Sequence, residues 1–138
     1  MSQTTDQRKA LKERKTEQLS AGLDTATSMA HDAAVQGGWW HDPHSGEPLE
    51  RNRGELLMLI VSEVSEAMEG ERKGLADKHL PHRPNAEVEL ADALIRIFDY
   101  AGGMGYDLAG AVIEKMEYNA KRADHKPENR IQEGGKQF

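Results

Sequence analysis

The segment VELADALIRIFDYA, residues 88–101, is apolar at ten of fourteen positions, with charges at Glu89, Asp92, Arg96 and Asp99. Steps of three, four and three keep residues on one face of an α-helix. At about 100° per residue the four fill a strip roughly 80° wide. An ordinary surface helix gives about half its circumference to water. Here Val88 and Ile95 flank the strip on one edge, Ala93 and Tyr100 on the other. Leu90, Ala91, Leu94, Ile97, Phe98 and Ala101 form the main apolar face. The pattern predicts a helix buried almost all round, its polar strip turned to a wet, enclosed site.

Upstream, LLMLIVSEVSEAM (residues 56–68) repeats the theme. Glu63 projects between Leu56 and Leu59 on one side and Ile60 and Ala67 on the other, inside the apolar arc. Glu66 lies one turn further on, at its edge. Glu63/Glu66 and Glu89/Asp92 are both i, i+3 pairs, so each pair shares a face. Two more helices complete the set. One carries Leu19, Leu23, Ala26, Met29, Ala30 and Ala33 at helical spacing and stops at Gly37-Gly38. The other is capped by Asp107 and ends near Ala123. The ExxE helix is expected from Glu55 to Glu69, ended by Gly70. The segment quoted first is expected to start at an Asn85 cap and stop at Gly102-Gly103. Gly and Pro mark loops at about 37–54 and 71–84. The expectation is an all-α, four-helix-bundle-like domain over residues 15–123, with a polar extension at 1–14 and an irregular tail at 124–138.

The 138 residues suffice for one domain, and the absence of Cys excludes disulfides, thiolate zinc sites and a cysteine nucleophile. The first fifteen residues hold no apolar stretch, and the longest apolar run, LLMLIV, is far short of a membrane span. A cytoplasmic protein without membrane association is expected. A net charge of −6 gives nucleic acid no general attraction, so no specific nucleic-acid partner is expected. The basic residues Arg8, Lys9, Lys12, Arg14 and Lys15 read as a solvated helix end or tail.

Four carboxylates aimed into one bundle cannot all stay ionised and unpaired. Either protons or cations neutralise them. All-oxygen ligands of this kind suit Mg²⁺, with Mn²⁺ as a substitute. A ferritin-like di-iron site needs Glu-x-x-His pairs, and none of the six His residues has a Glu three positions before it. On the fourth helix Leu108, Ala111 and Val112 define an inward face that continues into Lys115, Asn119 and Arg122. These long side chains either snorkel out and pair with carboxylates or clamp a phosphate. Of Trp39 and Trp40, one is expected to anchor its loop, and Trp40 is taken as the ligand contact. Lys73 reads as a solvated loop lysine. His41/His44 and His79/His82 have HxxH spacing, which in Pro-containing loops reads as turns before zinc.

ExxE (Glu63, Glu66), twenty-two residues, then ExxD (Glu89, Asp92) resembles the signature of the MazG-like all-α nucleoside triphosphate pyrophosphohydrolases. GELLMLIVSEVSEAMEGERKG, EVELADALIRIFDYA and KMEYNAKR extend the likeness over roughly residues 20–125. The resemblance implies cleavage of (deoxy)nucleoside triphosphates to monophosphate and pyrophosphate, with Mg²⁺ ions on Glu63, Glu66, Glu89 and Asp92. It implies that Glu63 or Glu66 orients or deprotonates the attacking water. It places Lys115 and Asn119 on the phosphates, with Arg122 and Arg96 in the same role and Asp99 as an outer or additional partner of the metals. It also implies a homodimer or homotetramer. Phosphoribosyl-ATP or an alarmone nucleotide is an alternative substrate. A non-enzymatic, metal-binding helical interaction module is the alternative from another class.

Overall fold

A computed structural model describes residues 4–136; residues 1–3 of the expected extension and 137–138 of the expected tail lie outside it. The chain is all-α: α1 Thr5–Gln36, α2 Arg53–Lys73, α3 Asn85–Met104, α4 Leu108–Lys121 and a short α5 Pro127–Arg130, with a 3₁₀ turn at Ala123–His125. Two isolated β-bridges, His41 with Pro48 and Ala76 with Pro84, pin the loops, and no strand forms among the described residues. No helix of the described residues is long and apolar enough to cross a membrane.

Helix ends differ from the sequence reading for local reasons. α1 starts at Thr5, about four turns before Leu19, where the apolar positions of the sequence reading begin. The Thr4 hydroxyl accepts from the Gln7 amide at 3.3 Å, and the Gln7 side chain accepts from the Thr4 amide at 2.9 Å. This reciprocal capping box nucleates a helix that apolar periodicity does not announce. Gly70 does not stop α2, which continues to a left-handed cap at Gly74, φ 60°. Gly102 and Gly103 do not stop α3, which runs on to Gly105, φ 68°. Asn85 is the first residue of α3 and not its cap, because its side chain bonds elsewhere. Asp107 caps α4 by accepting from the Gly110 amide at 2.8 Å. The tail is irregular only in part, since it includes the 3₁₀ turn and α5.

The interior glycines are there for close approach. A Cβ on Gly70 would fall 2.1 Å from Asn85 Oδ1, one on Gly102 2.6 Å from His31 Cβ, and one on Gly103 2.2 Å from the Trp40 ring. Gly in a helix costs about 1 kcal/mol against Ala, and here the neighbour occupies the space a methyl would need.

The chain divides into two compact units. One spans Thr25–Tyr106: the end of α1, both loops, α2 and α3. The other is formed by the chain before Thr25 and after Tyr106. In the first unit α2 and α3 pack as an antiparallel hairpin, with Gly70 against Asn85 near the loop and Glu63 against Arg96 further along. Its tightly buried apolar residues are Ala67, Ala86, Ala93 and Ala101, so the helices meet through small side chains. Large apolar residues remain outside: Met58, Val61, Val64 and Met68 on α2, and Leu90, Leu94 and Ile95 on α3, are exposed. The expectation that α3 is buried almost all round therefore fails within this chain. In the second unit Ala109 of α4 is buried, Leu108 and Val112 are half-buried, and Ala111, expected inward, is exposed.

Candidate functional site

The hairpin brings carboxylates from both its helices together. One oxygen each of Glu63, Glu89 and Asp92 lie within 4.8 Å of one another. Glu63 is 8% and Glu89 9% exposed, whereas Asp92 is open to solvent. Glu66, the fourth carboxylate singled out in the sequence, is exposed and stands outside this trio. Its charge still reaches Glu89. Burial raises the Glu89 carboxyl above its usual range; the Asn85 hydrogen bond opposes the rise, and the charges of Glu66 and Glu63 add to it.

Two partners hold the trio. Arg96 Nε donates to Glu63 Oε1 at 2.7 Å. Asn85 Nδ2 donates to Glu89 Oε1 at 2.8 Å, from a position that exists because Gly70 has no side chain. Three hard oxygen donors with net negative charge are the kind of set Mg²⁺ and Mn²⁺ take. Opposite ligands of one such ion stand about 4.2 Å apart, twice the ~2.1 Å bond, so a small closure suffices. Among the described residues no other group of three acidic or His side chains gathers this closely. The HxxH pairs form turns. Asp42 accepts from the His44 and Ser45 amides, and Asp77 from those of His79 and Leu80.

The charged strip of α3 runs on from the trio into a cavity of about 450 Å³. Asp92, Arg96 and Asp99 line it on one side. Leu56 and Leu59 of α2 and Ala30, Ala33 and Ala34 of α1 form its apolar walls, with Tyr100, Trp39 and Arg51 completing it. The two indoles divide their tasks. Trp40 packs on Gly103, stands edge-on to His31 at 5.2 Å, and donates through Nε1 to Asp99 Oδ1 at 2.8 Å. The same oxygen meets His31 Nδ1 at 2.9 Å, so Asp99 ties α1, the first loop and α3 together. Trp40 is thus an anchor and does not line the cavity, while Trp39, 65% exposed, does. Arg51 hydrogen-bonds the Trp39 carbonyl and lies 5.5 Å over the Trp40 ring, which holds the loop in place.

The cavity roles of Trp39, Arg51 and Tyr100 are not visible in the sequence. Ala30 and Ala33 of the α1 wall are hinted at by helical spacing, and Ala34 is not. Lys73 lies at the end of α2, paired with Glu69. Lys115, Asn119 and Arg122 belong to the second unit. There Lys115 Nζ stands 4.6 Å over the Tyr118 ring. Arg122 forms two bonds with Asp124, at 2.9 and 2.6 Å, which raise the guanidinium pKa and lower that of the carboxyl. Asn119 Oδ1 is enclosed without a hydrogen-bond partner.

No protein-family model matches the chain, and no curated protein or solved structure does either.

Proposed function

We propose that the protein is a Mg²⁺-dependent hydrolase of (deoxy)nucleoside triphosphates, releasing a monophosphate and pyrophosphate, of the MazG-like kind its ExxE…ExxD pattern resembles. The observation that carries the reading is a carboxylate trio from two helices, with Glu63 and Glu89 buried and the exposed Asp92 lining a cavity that also holds an exposed indole. Glu63, Glu89 and Asp92 hold the metal, with Glu66 joining them by a rotamer change. A bound divalent ion supplies charge neutralisation and a more acidic water. Glu63 or Glu66 takes the proton of the attacking water. Arg96 meets the phosphates from the cavity wall. Lys115, Asn119 and Arg122 are assigned to the phosphates on the resemblance alone. Trp39 takes the stacking role that the sequence suggests for Trp40, since an indole face offers any base about 1–3 kcal/mol.

The exposed apolar residues of α2 and α3 support a homodimer or homotetramer, because contiguous apolar faces are normally covered. The same residues favour the second reading, a helical interaction module whose acidic strip holds a structural cation or a basic partner. Incubation with a nucleotide panel and Mg²⁺, followed by pyrophosphate assay and product analysis, separates the two. Pyrophosphate and a monophosphate are expected. Phosphoribosyl-ATP and guanosine tetraphosphate belong in the panel as alternative substrates. An unchanged panel removes the enzymatic reading.

A further inference from the structure

Two cationic side chains line the cavity, and their engagements differ. The Arg51 guanidinium is fixed by the Trp39 carbonyl and the Trp40 ring. Among the described residues Arg96 has a single partner, Glu63, which belongs to the carboxylate trio. The pair is unequal: the Glu63 side chain is 11% exposed and that of Arg96 42%. The carboxylate is fixed inside the hairpin, while the guanidinium stands on a flexible stem beside an open cavity. A buried carboxylate without a counter-charge is costly, and the Arg96 guanidinium offsets that cost for Glu63. A divalent ion on the trio would supply that charge more strongly than a guanidinium. Arg96 and the ion therefore compete for Glu63.

We propose that Arg96 is a displaceable counter-ion: it holds Glu63 in place until a divalent cation takes that carboxylate, and its guanidinium then turns to an anionic group of the ligand in the adjoining cavity. The inference rests on the metal reading of the trio. Arg96 lies one turn beyond Asp92 on the same strip of α3, so the swing stays within one side chain's reach and needs no helix movement. The device keeps the site ordered without metal and couples metal binding to anion binding, because the freed guanidinium is the cavity's only uncommitted cation among the described residues. Arg96 acts here as a positioning residue for Glu63.

Two measurements on the full chain test it. Mn²⁺ affinity is measured by calorimetry. Arg96→Gln is expected to bind Mn²⁺ about tenfold more tightly than the parent, equivalent to about 1.4 kcal/mol. Arg96→Lys keeps a competing charge and should stay within about threefold of the parent. In the unaltered protein the Arg96 Nε–H resonance, assigned by its loss in Arg96→Gln, should move when Mg²⁺ saturates the site. If the parent binds no Mn²⁺, the metal reading falls and this proposal with it. If the parent binds Mn²⁺ while its Arg96 resonance does not move on saturation, the trio stands and the displacement is wrong. Equal Mn²⁺ affinity in Arg96→Gln and the parent likewise overturns the displacement and leaves the trio standing. The resonance measurement needs no variant stability beyond assignment, and Arg96→Lys can serve that purpose.

Discussion

On one face of α3, Glu89 is 9% exposed and Asp92, Arg96 and Asp99 border the open cavity; on the opposite face Leu90 and Leu94 are each 51% exposed. Glu89 and the two leucines reverse the usual amphipathic arrangement, in which leucines turn in and charges out, while Asp92 and Arg96 stay exposed. The helix hairpin packs through alanines at 67, 86, 93 and 101, small enough to bring two backbones close and leave room for carboxylates between them. Leucines at the contact would hold the helices further apart and part the trio. The apolar face is left without a cover inside the unit, although each buried leucine is worth about 1.5–3 kcal/mol. The contrast supports a division of labour on one helix, with the charged face kept for chemistry and the apolar face for association.

The largest expected effect breaks the charged side. Glu63→Gln or Asp92→Asn should lower pyrophosphate release by about 100-fold or more, since even outer partners of metal ligands cost 10–100-fold. The far-ultraviolet dichroism should not change. Turnover near the parent level in either variant would sink the assignment.

Next comes the apolar side. The double substitution Leu90→Glu/Leu94→Glu should convert the proposed homo-oligomer to a monomer in sedimentation equilibrium, with stability of the hairpin little altered. An unchanged mass would show that this face is not where chains meet. A face that tolerates two new charges without loss of mass or solubility would also end the division of labour proposed for α3.

The two indoles sharpen the comparison on a smaller scale. Trp40→Phe removes the N–H that Asp99 accepts and should lower stability by about 1–2 kcal/mol, the range for a lost buried hydrogen bond. Trp39→Ala should leave the thermal midpoint within a degree or two and weaken nucleotide binding about tenfold, matching the ~1–3 kcal/mol of base stacking. Calorimetric melting and equilibrium binding on both variants would show whether the roles are divided this way or reversed.

The smallest expected effect lies in the second loop. Asp77 has its carboxyl pKa lowered, first by the Leu80 amide and also by the His79 amide, against the opposing effect of burial. A folded-state value below the unfolded one contributes stability above the unfolded pKa and loses it as pH falls through the folded value. Asp77→Asn should therefore be slightly less stable than the parent at neutral pH, and the gap should close in acid. A gap that stays constant across that window would place the Asp77 contribution in packing alone.

Much of the fold can be read along the chain because it is written in near neighbours. Helical spacing places α2, α3, α4 and the latter half of α1. The Asp107 cap and the turn-forming His41–His44 and His79–His82 segments depend on bonds across two or three residues. Where local reading failed, the cause lies outside the segment or in a signal other than apolar periodicity. Gly70, Gly102 and Gly103 look like stops, yet they sit inside helices because Asn85, His31 and Trp40 occupy the space a side chain would need. The early start of α1 comes from a Thr4–Gln7 capping box in a stretch without apolar period.

The candidate site divides in the same way. That Glu63 shares a helix face with Glu66, and Glu89 with Asp92 and Arg96, follows from spacing alone, because a helix repeats every 3.6 residues whatever surrounds it; that Glu63 and Glu89 are buried while Glu66, Asp92 and Arg96 are exposed does not. Which of those carboxylates come within a few ångström of one another depends on how α2 crosses α3. So does the partner that Arg96 chooses, and so does which of two adjacent indoles is left free at the cavity. These are set by distances between residues twenty to sixty positions apart, and such distances exist only once the helices have packed.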